Sequence, residues 1–176
     1  MVKNGQSAGP LRLYAPAPSS QPIREVRFRN PRLERLGLDT LTLAQLRGKA
    51  PPDYFARPEK LTFYQLIHVT GGKGAHQVDF RSYRLRKGTL IVTQPKQVQQ
   101  FHLNPSLKGR LLLIAPVFLE QQSIAEQSLV MADWPAGLDL PLWLHDDVAR
   151  AFDVVARETS SYQGDVLTAR LLQHVV

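Results

Sequence analysis

A chain of 176 residues is about one domain's worth, long enough to bury a core without covalent staples, and with no cysteine it has no thiol nucleophile, thiolate zinc site or disulfide scaffold. No apolar run approaches the ~20 residues of a membrane span, and the first residues lack the apolar stretch of a secretory signal, which leaves the cytoplasm as the simplest compartment. The net charge of +7 is uneven: residues 1–110 carry 19 Lys/Arg against six Asp/Glu, and residues 111–176 carry three against nine. Such a basic half is a footprint for polyanions but says nothing of base readout.

In chain order, residues 1–30 hold Pro10, Pro16, Pro18 and Pro22 with little periodicity, which reads as a flexible N-terminal arm. Leu36 and Leu38 then alternate with polar residues. Thr42 can N-cap a short helix, Leu43-Ala44-Gln45-Leu46, broken by Gly48 and Pro51-Pro52. Leu61–Thr70 reads as a strand closing at Gly71-Gly72-Lys73-Gly74, after which the chain is expected to double back through His76–Phe80. Further short runs are Tyr83-Arg84-Leu85, Thr89–Thr93 and Arg110–Ala115, each ended by Gly or Pro. This spacing argues a small antiparallel barrel or sandwich, and closure would remove its exposed edges.

After Pro141 the apolar period changes from 2 to 3.6. Asp146 or Asp147 can cap a helix whose Val148, Ala151, Phe152 and Val155 form one apolar stripe. Tyr162-Gln163-Gly164 breaks it. Asp165 can cap a second helix, on which Leu167, Leu171, His174 and Val175 repeat the spacing. A helix running to Val176 without a C-cap reads as cut, so the chain is expected to be a fragment of a longer protein.

Asp53–Pro58, Phe63-Tyr64-Gln65-Leu66, Val69–Phe80, Tyr83–Ile91 and Pro95–Phe101, in this order and spacing, resemble the N-terminal cupin domain of AraC-type transcriptional regulators, with the likeness running over residues ~30 to 176. The resemblance implies a mainly β fold, a small antiparallel cupin or jelly-roll barrel followed by two α-helices. It divides the chain into a flexible arm (1–30), a barrel sensor (31–141) and a two-helix dimerisation segment (142–176). It further implies a small-molecule effector, a homodimer, and operator DNA bound through a C-terminal helix-turn-helix domain absent from this chain.

Metal-binding cupins use histidines and a carboxylate; in that register this chain has Glu59, Leu61, Gln65 and Gln99. One carboxylate, two amides and an alkyl chain suit no transition metal, so neither metal nor other cofactor is expected. His68, His76 and His102 share no ligand spacing on one strand, and His76 and His102 read as turn-proximal surface or hydrogen-bonded histidines. Arg57-Pro58 matches an Arg-Pro that in the family grips a polar ligand at the barrel mouth. The other reading of Arg57 is a surface arginine held by Asp53 or Glu59.

Alternation puts Glu59, Leu61, Phe63, Gln65 and Ile67 on one face and Thr62, Tyr64, Leu66 and His68 on the other. Both faces are apolar enough to be buried, one inside a barrel and one against helices, and the family register puts Gln65 inside. Candidate ligand-binding residues are Arg57, Phe63, Gln65, Phe101, Leu111 and Leu113, which suit a small, partly apolar effector with an anionic or hydroxyl-rich end. Leu167, Leu171 and Val175 are the candidate dimer seam. No hydrolase, zincin or phosphate-loop motif is present, and no catalytic residue is expected. The alternative is a small cupin isomerase using Gln65, Tyr64, His76 or Asp79 on a sugar or keto acid.

Overall fold

The computed structural model describes residues 23–51, 54–102, 104–120 and 136–175. The proline-rich stretch 1–22 and Asp53 lie outside the described residues. Among the described residues ten short strands form two five-stranded sheets. The first contains β1 (Arg24–Val26), β3 (Glu59–Leu61), β8 (Val98–His102), β5 (Lys73–Val78) and β6 (Arg81–Arg86), in that spatial order. The second contains β10 (Gly137–Asp139), β7 (Thr89–Thr93), β4 (Tyr64–Gly71), β9 (Lys108–Ile114) and β2 (Leu38–Thr42). All pairings but β1 with β3 are antiparallel. The fold is therefore mainly β. Residues 24–26, expected in the mobile arm, are instead an edge strand seated on Glu59–Leu61.

Among the described residues the helices are α1 (Leu43–Lys49), a 3-10 turn at Tyr54–Ala56, α2 (Pro116–Glu120), α3 (Leu142–Ser161) and α4 (Val166–Val175). Thr42 caps α1 as expected: its hydroxyl accepts from the Gln45 amide while the Gln45 side chain returns to the Thr42 amide. Gly48 is inside this helix rather than after it. Helix α3 begins at Leu142, with Pro141 at its N-cap in extended conformation and no side-chain cap, more than one turn before the expected Asp146 or Asp147. Its buried stripe is Phe152, Val155 and Thr159, and Ala151 faces solvent. Asp165 caps α4 as expected, accepting from the Thr168 amide at 2.7 Å.

Two expectations about the sheets are corrected. The run Leu61–Thr70 is two strands in different sheets, β3 and β4, separated by a bend at Thr62-Phe63. The glycine turn after β4 makes no hairpin, because β5 pairs with β6 and β8 in the facing sheet. The bulge between Val69 and Gly71 and the left-handed Gly72 (φ +78) throw the chain across, and a Cβ on Gly72 would lie 2.1 Å from the Ser106 carbonyl oxygen. The tight hairpin is β5–β6, turned by Asp79 and Phe80, both at positive φ.

The second sheet is buried on both faces, as alternation indicated. Ile67, Val69, Ile91 and Leu111 meet Val78, Leu85 and Phe101 of the first sheet inside the barrel. Leu38, Leu112 and Ile114 on its other side meet Leu33, Leu36, Phe118, Phe152, Val155 and Leu172 beneath the helices. Two arginines tie the helices to the barrel. Arg110 donates to the Ala149 carbonyl at 3.0 Å and pairs with Asp153, and Arg32 donates to the carbonyls of Thr159 and Tyr162 at 2.8 and 3.0 Å. The latter are orphan carbonyls at the C-terminus of α3, where a cation is favoured. Leu172 is fully buried on α4, whereas the side chains of Leu167, Leu171 and Val175 lie outside the described residues. No described helix is long and apolar enough to cross a membrane.

Candidate ligand site at the barrel mouth

The alternation of β3 and β4 carries Glu59, Leu61, Phe63, Gln65 and Ile67 to the interior, all nearly inaccessible, across the bend that separates the strands. Opposite them, β8 presents Gln99 and Phe101 and β5 presents His76 and Val78, in register Glu59–Gln99, Val78–Gln99 and His76–Phe101. Three polar side chains thus converge where a metal-binding cupin would hold its ion, but each is already engaged. Glu59 pairs with Arg24, and Gln65 Nε2 donates to Gln99 Oε1 at 2.7 Å. Burial, followed by the charge of Glu59 and a hydrogen bond to it, pushes the Tyr54 hydroxyl pKa far up, so it remains a protonated donor beside that carboxylate. Among the described residues no three His, Cys, Asp or Glu side chains are grouped to hold a metal ion.

His76 departs from the expected surface or hydrogen-bonded histidine. It is fully buried, its ring centroid lies 4.4 Å from that of Phe101, and neither ring nitrogen has a hydrogen-bond partner. Burial pulls its pKa down to about 3, and the neighbouring Gln99 amide offsets this only in part. His76 is neutral at physiological pH. His68, on the outer face of β4 under Phe152, is also held below its ordinary value, by burial first and then by His145 and Arg110.

A cleft of about 670 Å³ opens at the barrel mouth, within the size range of small-molecule sites. Its apolar walls are Phe63, Leu111 and Leu113 from the barrel with Leu41 and Leu46 beside them, and Gln65 contributes the amide. Four of the six residues expected at a ligand site therefore meet in one place. Phe101 lies behind them in the closed core, contacting Phe55 and His76. Arg57 is exposed and is not among the residues lining the cleft. The residues that sequence reasoning missed are those of the rim. The segment after β1 supplies Arg27, Phe28, Arg29, Asn30 and Pro31, and the end of α1 supplies Lys49.

The rim is cationic. Arg27 pairs with Glu25 at 2.9 Å, and Asp39, the one carboxylate among the described residues lining the cleft, is occupied by the Asn30 amide and the Thr40 backbone. Among the described residues Arg29 and Lys49 have no ion-pair partner. A pocket with apolar walls, one buried amide and a guanidinium and ammonium lip accepts a molecule with an apolar body and an anionic end. Of the residues of the isomerase alternative, Gln65 lines this space and the other three do not. Tyr64 packs on the outer side of β4, His76 is sealed in the core, and Asp79 is at a hairpin tip holding Gln97 and the Val98 amide.

Residues 26–167 match the family described as the AraC-like ligand binding domain. Among solved structures, ToxT from Vibrio cholerae O395 bound to (E)-4-(8-methylnaphthalen-1-yl)but-3-enoic acid is similar at 10% identity and a TM-score of 0.41, over 78% of this chain and 53% of that one. The AraC-like transcriptional activator CuxR is similar at 13% identity and a TM-score of 0.39, over 65% and 40%. Unsaturated fatty acid bound wild-type ToxT from Vibrio cholerae strain SCE256 is similar at 12% identity and a TM-score of 0.36, over 65% and 46%. The chain spans about half the length of these regulators or less. No curated protein matches it.

Proposed function

The chain belongs to the AraC-like ligand binding domain family, and from that premise we propose that it is the effector-sensing module of a transcription regulator whose ligand is a small amphiphilic acid. The observation that carries the reading is the 670 Å³ cleft, with Phe63, Leu111 and Leu113 as apolar walls and Arg29 and Lys49 at its lip. The apolar body of the ligand gains from leaving water, and its anion gains from charge-assisted hydrogen bonds with a guanidinium. Gln65, fixed by Gln99, offers one oriented polar contact in between. No metal takes part, because the one buried carboxylate is neutralised by Arg24 and the two amides are bonded to each other. Dimerisation through Leu167, Leu171 and Val175 of α4, and operator binding through a separate helix-turn-helix domain, complete the proposal.

The test is a thermal-shift screen with octanoate and cinnamate, and with octanol as the uncharged control. At a hundredfold excess over Kd a ligand of the folded state adds about 2.7 kcal/mol, which is a rise of roughly 5–10 °C for a domain of this size. The carboxylates are expected to stabilise the wild type and to lose most of that effect in Arg29→Ala. If Arg57→Ala removes the shift and Arg29→Ala does not, the cationic end of the site is at Arg57. Stabilisation by octanol equal to that by octanoate would refute an anionic ligand.

A further inference from the structure

The barrel has two outer sheet faces. Helices cover the outer side of the second sheet, whereas the outward residues of the first, Lys60, Lys73, Arg84 and Arg86, are exposed. Register places these cations as an array. Lys73 is directly opposite Arg86, Ala75 lies opposite Arg84, and Lys60 stands beside Val98 on the far side of β8. Exposed Arg81 and Lys87 flank β6 at its two ends. With strands about 4.8 Å apart and about 3.4 Å per residue, the patch spans roughly 14 Å across the strands and 20 Å along them.

The acids near this face are already committed. Asp139 is bound by Arg86 and Thr89, Glu25 by Arg27, and Asp79 by Gln97 and the Val98 amide. Among the described residues Lys60, Lys73, Arg81, Arg84 and Lys87 have no ion-pair partner. The positions between the cations are Ser82, Gln77, Gln100, His102, Ala75 and Val98. Phe80 is exposed at the hairpin tip beside Arg81, but the face between the cations carries neither the clustered aromatic anchors of a protein interface nor the apolar residues of a membrane-inserting one. Charges on β6 alone would be explained as protection of an edge strand against pairing with another chain. Lys73 and Lys60, on strands paired at both sides, have no such duty.

We propose that the outward face of the first sheet is a docking surface for the phosphate backbone of duplex DNA, sequence-independent and separate from the ligand cleft. Cations on rigid strands at fixed spacing lose little entropy on meeting a regular row of phosphates, and a patch of ~14 Å is commensurate with the ~12 Å major groove whose two phosphate walls it would touch. The choice of duplex DNA among polyanions rests on the regulator reading. The two remain separable, because the cleft is read by thermal shift with octanoate and the face by duplex affinity.

The experiment measures fluorescence anisotropy of the 176-residue chain on a random-sequence duplex between about 50 and 200 mM salt, where each phosphate contact adds about 0.9 to the log–log slope. Lys60, Lys73, Arg84 and Arg86 predict a wild-type slope of about −3.6 and roughly a 150-fold loss of affinity across that range. Lys60→Gln/Lys73→Gln/Arg84→Gln is expected to reduce the magnitude of the slope by about 2.7 while octanoate still raises its Tm. Arg35→Gln/Arg150→Gln/Arg157→Gln removes the same charge from exposed positions on the helical side and is expected to leave the slope unchanged. Equal losses in the two triple variants, an unaltered slope in the first, or tighter binding to phosphatidylserine vesicles than to the duplex would overturn the proposal.

Discussion

His76 makes the fold acid-sensitive in a defined window. Its pKa is about 3 in the folded barrel and about 6.5 in an unfolded chain, so between these values the unfolded state binds the additional proton. Stability then rises with pH across this interval. The contribution is fully present above pH ~6.5 and is lost as pH falls below it, at about 1.4 kcal/mol per pH unit. Between about pH 7.5 and pH 5 the loss from this single group is about 2 kcal/mol, equivalent to a fall in Tm of roughly 4–8 °C. The magnitude is large because the ring is fully buried and faces Phe101, and the neighbouring Gln99 amide offsets the burial only in part. The assay is urea unfolding followed by circular dichroism at both pH values, for the wild type and His76→Leu. His68 is shifted in the same direction but is present in both proteins and cancels in the comparison. The variant is expected to lose about 2 kcal/mol less than the wild type on acidification. An identical pH dependence in the two proteins would refute the burial argument.

Two further outcomes follow from single contacts. Arg32→Ala removes the guanidinium from the last carbonyls of α3 and is expected to cost about 2 kcal/mol in urea unfolding; Arg32→Lys should recover most of it, because the bonds to Thr159 and Tyr162 both leave the single nitrogen Nη1 and one ammonium carries three donors. Phe80, 82% exposed and held at φ +67, buries almost nothing and occupies a backbone region that favours glycine. Phe80→Gly is therefore expected to raise stability by about 0.5–1 kcal/mol in the same assay, the relief of strain exceeding the added freedom of the unfolded chain.

Features whose local chemistry matches their final environment were legible from sequence. Thr42 and Gln45 specify a cap wherever the helix lies, and the alternation from Glu59 to Ile67 survives the bend at Thr62-Phe63 because both sides of that bend face one interior. The crossings between sheets were not legible. A glycine-rich turn between two strands looks like a hairpin, and only the packing of Gly72 against Ser106 shows that the chain leaves the sheet. The cleft was half legible. Its apolar walls alternate on strands, but its rim is built from Arg27 to Pro31, a proline-flanked stretch with no periodicity that reads as an arm. The alternation of Arg27, Arg29 with Val26, Phe28 was the available signal, and it is too short to stand out. Burial of His76 was hidden for the opposite reason, since its neighbours Ala75 and Gln77 are polar or small and face the outside.

Binding of an amphiphilic acid at the barrel mouth can be followed residue by residue through amide chemical-shift mapping of the 15N-labelled chain during titration with octanoate. Saturable shifts are expected on residues 26–31, 39–41, 63–65 and 111–113, which surround the cleft. Shifts confined to Arg32, Arg110 and Thr159, around the separate groove between β2 and α3, or no saturable shifts at all, would contradict it.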